Sequence, residues 1–169
     1  VQDVKTFSLF LTAGGALRIA SSFIPYSPGN DVLELFYMVI DLAFILGLVG
    51  LYLTYGIRIG TAGRIAVAIM LCGFAVIAGP EAPLFDIPIY QLGSSVVGLG
   101  SVLFAVALLR CHVGPIHVPV LLITAFAAGL CSMALHQPLL FTVSGVLFGA
   151  GFALLGLHDF FSAGHRHPD

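Results

Sequence analysis

A chain of 169 residues that is 59% hydrophobic and only 8% charged cannot cover itself with polar surface, since an ordinary soluble domain carries about 25% charged residues. Its mean hydropathy of +1.10 excludes a soluble globular fold and names a lipid bilayer as its surroundings. The net charge of −2, with six Lys and Arg scattered singly, leaves no basic track for a phosphate backbone, so nucleic acid is excluded as a partner.

Six apolar stretches of roughly 18 to 23 residues follow one another, each long enough as an α-helix to cross ~30 Å of hydrocarbon. The first is expected over about 6–24 and carries Arg18 deep within it, beside Gly14 and Gly15. No small-residue cleavage signature follows a short apolar core, so this stretch reads as a retained helix rather than a signal peptide. A turn containing Pro25, Ser27, Pro28, Gly29 and Asn30 leads to a second helix over about 32–54, with Glu34, Tyr37 and Asp41 in its first half. The third is expected over about 62–79, opened by Gly60 and closed by Gly79, Pro80 and Pro83. The fourth, about 90–110, begins at Tyr90 and Gln91 and is followed by Gly114 and Pro115; the fifth spans about 118–135 and the sixth about 138–158, starting at Pro138.

These elements define an all-α fold, a polytopic membrane protein built as a six-transmembrane-helix up-down bundle, with residues 1–169 in a single domain. The connections are short, which makes sequential helices antiparallel. Lys5, Arg58, Arg64, Arg110 and Arg166 fall on one side of such a bundle, and Asp31, Glu34, Glu81 and Asp86 on the other. Basic residues near helix ends are retained in the cytoplasm, so both termini are expected there. The small size and terse loops suit a bacterial inner membrane. Tyr26 and Tyr90 near the outer boundary, and Tyr52 and Tyr55 near the inner one, fit an interfacial aromatic belt. Pro25, Pro80 and Pro138 close the outward helices at similar intervals, a pattern that Pro-capped hairpins produce without any duplication.

One polar constellation stands apart from this background. Taking 1.5 Å of rise per residue, Arg18 lies about 9 Å below the outer end of the first helix, and Asp41 about 13 Å and Glu34 about 3 Å below that of the second. Spacings of three and four place Glu34, Tyr37 and Asp41 on one helical face that can turn toward the first helix. A charge at that depth costs at least ~2.5 to 3.5 kcal/mol on insertion scales, so it faces protein or water and finds partners. Two arrangements satisfy this demand. In one, Arg18 and Asp41 form a structural ion pair, with the guanidinium gripping the carboxylate in bidentate geometry and Tyr37 joining the network. In the other, the group lines a polar cavity open to the outer face and binds a proton, a cation or a ligand head group.

A second candidate group is the outer rim, formed by Tyr26, Glu81, Asp86, Tyr90, Gln91 and His136. Collected in space these residues would form an acidic mouth, but ordinary hydrated loop ends are the favoured explanation. Ser94 with Gly98, and Gly145 with Gly149, are small-xxx-small pairs that admit close helix approach, so the fourth and sixth helices are candidates for packing on each other, on a second copy or in a larger membrane complex. No metal motif and no cofactor is specified. HExxH is absent, and none of His112, His117, His136 and His158 sits at mid-span with a facing partner, as a bis-His haem requires. Cys72, Cys111 and Cys131 form no CxxC, and the two inside apolar stretches read as small packing groups.

Bundles of the translocator-protein and small-multidrug-transporter kinds have comparable size. The former are rich in Trp, which is absent here, and the latter have four spans with a membrane glutamate in the first, so neither resemblance extends residue by residue. The first functional reading is a small membrane protein that binds or translocates a polar or amphipathic molecule through an outer-leaflet cavity lined by Arg18, Glu34, Tyr37 and Asp41. The alternative is a non-catalytic accessory subunit of a larger complex, and the third is an intramembrane enzyme acting on lipid, against which the missing nucleophile and metal motif count.

Overall fold

The computed structural model describes residues 2–24, 30–78 and 89–163, and among them it contains six α-helices and no strand. These are α1 (Gln2–Ser21), α2 (Asp31–Tyr55), α3 (Gly60–Ile77), α4 (Ile89–Cys111), α5 (His117–Leu135) and α6 (Pro138–Ala163). Five of them, α2 to α6, are long and apolar enough to cross a membrane. α1 has the length but carries Asp3, Lys5 and Arg18, which interrupt its apolar run. The chain is thus an apolar helical bundle of the kind a multi-pass membrane protein requires.

Helix boundaries follow local chemistry. The Asn30 side chain accepts a hydrogen bond from the Leu33 amide at 3.2 Å and caps α2. α5 stops where His136 turns left-handed, with φ 52°, and its amide bonds the Ser132 carbonyl. Pro138 then opens α6, a position where its missing N–H has no cost. The largest departures from the sequence-based spans are at α1, which starts at Gln2 instead of about residue 6, and α6, which runs to Ala163 instead of about residue 158.

The six helices form a closed ring in chain order, with α6 returning to pack on α1. Facing residues show that neighbours run antiparallel: Phe7 and Leu11 meet Gly50 and Gly47, Ser8 meets Gly156 while Ser22 meets Gly145, and Met70 meets Gly100. An even number of antiparallel neighbours closes without a long crossover. We call the end with the α1–α2, α3–α4 and α5–α6 connections distal, and the end with the N-terminus and the α2–α3 and α4–α5 connections proximal.

Where lipid removes the hydrophobic drive between helices, close approach and dispersion hold them together. The α1–α6 seam brings backbone against backbone at Gly15 and Gly149, where a Cβ on either would lie 2.5 or 2.6 Å from the other's carbonyl oxygen. α3 and α4 repeat the device at Gly73 and Gly93, each Cβ position 2.9 Å from the opposite carbonyl oxygen. The small residues of α4 and α6 are therefore engaged within the bundle, α6 on α1 and α4 on α3, while Gly98 faces Phe126 of α5. Mutual packing of the fourth and sixth helices, one of the arrangements expected from sequence, is not how the ring is built. Cys72, Cys111 and Cys131 are all exposed and free, so the thiols of α3 and α5 do not serve as interior packing groups.

The proximal half is solid. Leu48, Ile59, Phe104, Leu108, Leu122 and Leu155 are fully buried there. A layer of aromatic rings lies at mid-height: Phe44 stacks on Phe74 at 5.3 Å, and packs edgewise or tilted on Phe148 and Phe152 at 5.5 and 5.6 Å. Above that layer the ring opens.

Candidate functional site

A cavity of about 370 Å³ occupies the distal half of the ring, and all six helices contribute to its wall. Its floor is the aromatic layer, through Phe44, Phe74 and Phe148. This size falls within the range of about 300 to 1,000 Å³ typical of small-molecule sites, and so does the chemistry, a mainly apolar wall with a few convergent polar groups.

The charged and phenolic groups come from α1, α2 and α4, and serines of α4 and α6 add hydroxyls. Arg18, in the last turn of α1, faces the cavity together with Tyr37 and Asp41 of α2 and with Tyr90 and Ser94 of α4. Tyr37, Asp41 and Phe44 share one face of α2 by their spacing of four and three, so the same helical stripe supplies a phenol, an acid and part of the floor. The Arg18 guanidinium donates to the Tyr90 hydroxyl at 3.5 Å, the outer limit of a hydrogen bond. Because α1 and α4 stand opposite one another in the ring, this contact spans the cavity. Tyr37 donates to the carbonyls of Ser21 and Ile24 at 3.4 Å each, and the hydroxyls of Ser21 and Ser22 donate to the Arg18 carbonyl at 2.9 and 2.8 Å. The Arg18 and Ser21 carbonyls also accept from the amides of Ser22 and Ile24 at 3.1 Å each, so the hydroxyls are second donors that tie the end of α1 to itself and to α2 and hold the arginine's turn in place.

The bidentate pair expected between Arg18 and Asp41 is not formed. Both side chains line the cavity, yet no ion pair within 4.0 Å joins them, and Asp41 accepts no hydrogen bond from any described residue. No buried side-chain oxygen or nitrogen among the described residues lacks a partner. The carboxylate of Asp41 therefore keeps its oxygens in the open space of the cavity. The physical reason is room: the two groups stand on a wall with a void in front of them, so neither is forced onto the other.

Glu34 lies two turns further out than Asp41, is exposed, and does not line the cavity. Of the rim group, Tyr90 belongs to the cavity wall. Gln91 is exposed, its carbonyl accepting from Ser94 and Ser95 at 3.1 and 2.7 Å, and His136 is the exposed cap of α5. Tyr26, Glu81 and Asp86 lie outside the described residues, as do Pro25, Pro80 and the tail histidines. Ser94, Gly98 and Gly145 line the cavity, and Gly149 does not. Among the described residues, no group of three or more His, Cys, Asp or Glu converges as metal ligands do.

Sequence reasoning missed a second polar pair. Tyr55, expected in the inner aromatic belt, is instead 3% exposed and donates a hydrogen bond to the carboxylate of Asp159, itself 2% exposed. The pair joins α2 to α6 behind α1 in the proximal half. Ending the sixth helix at residue 158 had left Asp159 in a loop, where an acid needs no explanation. The signal was present in the absence of any Gly or Pro after His158 until Gly164, which lets the helix carry the acid inward. Tyr52, by contrast, is 45% exposed, as a belt residue should be.

The chain matches no protein-family model, no curated protein and no solved structure. Its chemistry is accordingly read from the site alone.

Proposed function

We infer that this is an integral membrane protein with six crossings that binds a small amphipathic molecule in the distal cavity. The observation that carries the reading is the cavity itself, which has Arg18 and Asp41, uncommitted to each other, on the wall of a mainly apolar space. A charged side chain at this depth is a functional-site candidate because it is costly to keep. Tyr37 and Tyr90 add hydroxyls to the same region, and the aromatic floor supplies a face for a hydrocarbon chain.

Packing supports a sixth crossing beside the five helices that are long and apolar enough to span. α1 accompanies α6, itself apolar enough to span, from Ser8 opposite Gly156 to Ser22 opposite Gly145. That run rises about 21 Å, two thirds of a bilayer core. Lys5, Arg58, Arg64 and Arg110 all belong to the proximal end, which supports a cytoplasmic location for that end and for both termini. The distal cavity then belongs to the outer leaflet. The floor favours binding over an open pore, and transport would need the aromatic layer to part.

The experiment is a comparison of lipids retained by the protein and by variants that fill the cavity. Protein extracted in dodecyl maltoside is stripped, exposed to a membrane lipid extract, and weighed intact by native mass spectrometry. The unaltered chain is expected to hold one amphiphile per protein, and Ser94→Phe and Leu130→Trp to hold none while keeping their helical circular dichroism. Equal retention by all three proteins overturns the reading.

A further inference from the structure

We propose that the occupant of the cavity is a single-chain amphiphile with a zwitterionic head, taken in sideways from the bilayer between the distal halves of α4 and α5. The proposal rests on the cavity being a binding site and adds the head chemistry and the route.

The head chemistry comes from the two charges. Arg18 presents five N–H donors in a rigid fork, and its one acceptor among the described residues is the distant Tyr90 hydroxyl. A phosphate or carboxylate is the complement of such a fork, and two parallel hydrogen bonds would satisfy it. A purely anionic head would also bring its charge toward Asp41, which lines the same space with its oxygens open. Like charges in a poorly screened site repel strongly. An ammonium on the same head removes that conflict by donating to Asp41 while the anion sits on Arg18, and it leaves neither charge of the protein uncompensated. A neutral head would leave both unanswered.

The route comes from the ring. Its floor is closed by Phe44, Phe74 and Phe148, and the Arg18–Tyr90 contact crosses its distal opening. α4 and α5 touch where Gly98 meets Phe126. Leu99 beside that contact, and Leu130 and Met133 beyond it toward the distal end, line the cavity while remaining 50%, 52% and 50% exposed, as Tyr90 and Phe141 do at the distal rim at 45% and 50%. Residues that are at once wall and surface mark a mouth. The α4–α5 seam stands across the ring from the α1–α2 seam that carries Arg18 and Asp41, so the head reaches the charged wall and the chain trails through the mouth into lipid.

The test uses four probes: lauroyl lysophosphatidylethanolamine, lauroyl lysophosphatidic acid, monolaurin, and glycerophosphoethanolamine, which has the head without the chain. Binding to the intact protein in dodecyl maltoside is read by native mass spectrometry. The zwitterion is expected to bind roughly tenfold or more tightly than either monolaurin or the lysophosphatidic acid. Arg18→Gln should abolish its advantage over monolaurin, Arg18→Lys should keep part of it, and Asp41→Asn should abolish its advantage over the lysophosphatidic acid. Equal binding of zwitterion and monolaurin, still lost in Leu130→Trp, overturns the head chemistry and leaves the cavity reading intact. Binding of all probes that survives Leu130→Trp overturns both. Tight binding of glycerophosphoethanolamine overturns the lipid origin in favour of a soluble solute. A zwitterion with a diazirine at the end of its chain keeps the route testable on the unaltered protein. Labelling at Leu99, Leu130 or Met133 supports the lateral mouth, and labelling confined to other helices contradicts it.

Discussion

The two halves of this bundle hold similar polar groups and put them to opposite uses. In the proximal half an acid and a tyrosine, Asp159 and Tyr55, are buried against each other in a packed core. In the distal half an acid and two tyrosines, Asp41, Tyr37 and Tyr90, stand with Arg18 around a void. The comparison teaches that a charged residue within an apolar helix does not by itself announce a site. What separates the two cases is whether the side chain's hydrogen-bonding capacity is used by the protein or left facing space.

On that contrast, the largest effects on folding belong to the seams and the packed half. Gly149→Leu must drive a side chain into the Gly15 carbonyl of α1. Overpacking of this kind costs about 1 to 3 kcal/mol and at times more, and here the obstacle is backbone, so little folded protein should be recovered by size-exclusion chromatography in detergent. Leu155→Ala in the proximal core should cost about 2 to 5 kcal/mol, read as a lowered thermal unfolding midpoint. Tyr55→Phe removes the donor to a buried carboxylate, and a loss of about 1 to 3 kcal/mol is expected. At the distal wall, Asp41→Asn should change stability by less than about 0.5 kcal/mol, because no bond to a described residue is lost. A destabilisation by Asp41→Asn equal to that of Tyr55→Phe would erase the distinction between the halves.

Much of the fold was legible in the sequence, because span length, Pro and Gly punctuation and short connections each act locally. The ring closure was not, since the pairing of Gly15 with Gly149 joins helices at opposite ends of the chain and nothing local marks it. Within the site, periodicity placed Tyr37 and Asp41 on one face and depth placed Arg18 beside them. It did not separate contact from shared wall, which depends on the void between the helices. Tyr90 was visible as an aromatic boundary residue, and its reach to Arg18 required the diameter of the ring. Asp159 escaped because a charge near the end of an apolar run ordinarily ends it, and the hydroxyl of Tyr55, which helps to offset its burial, lies on a helix far away in sequence.

The central claim, that Arg18 and Asp41 serve the cavity and not the fold, is tested most directly by the double variant Arg18→Leu with Asp41→Leu. Its thermal unfolding midpoint would be measured in dodecyl maltoside, with and without saturating lauroyl lysophosphatidylethanolamine. The account predicts a midpoint at or above that of the unaltered protein without the amphiphile, and no rise when it is added. A double variant that fails to fold, or one that keeps the full rise, would contradict it.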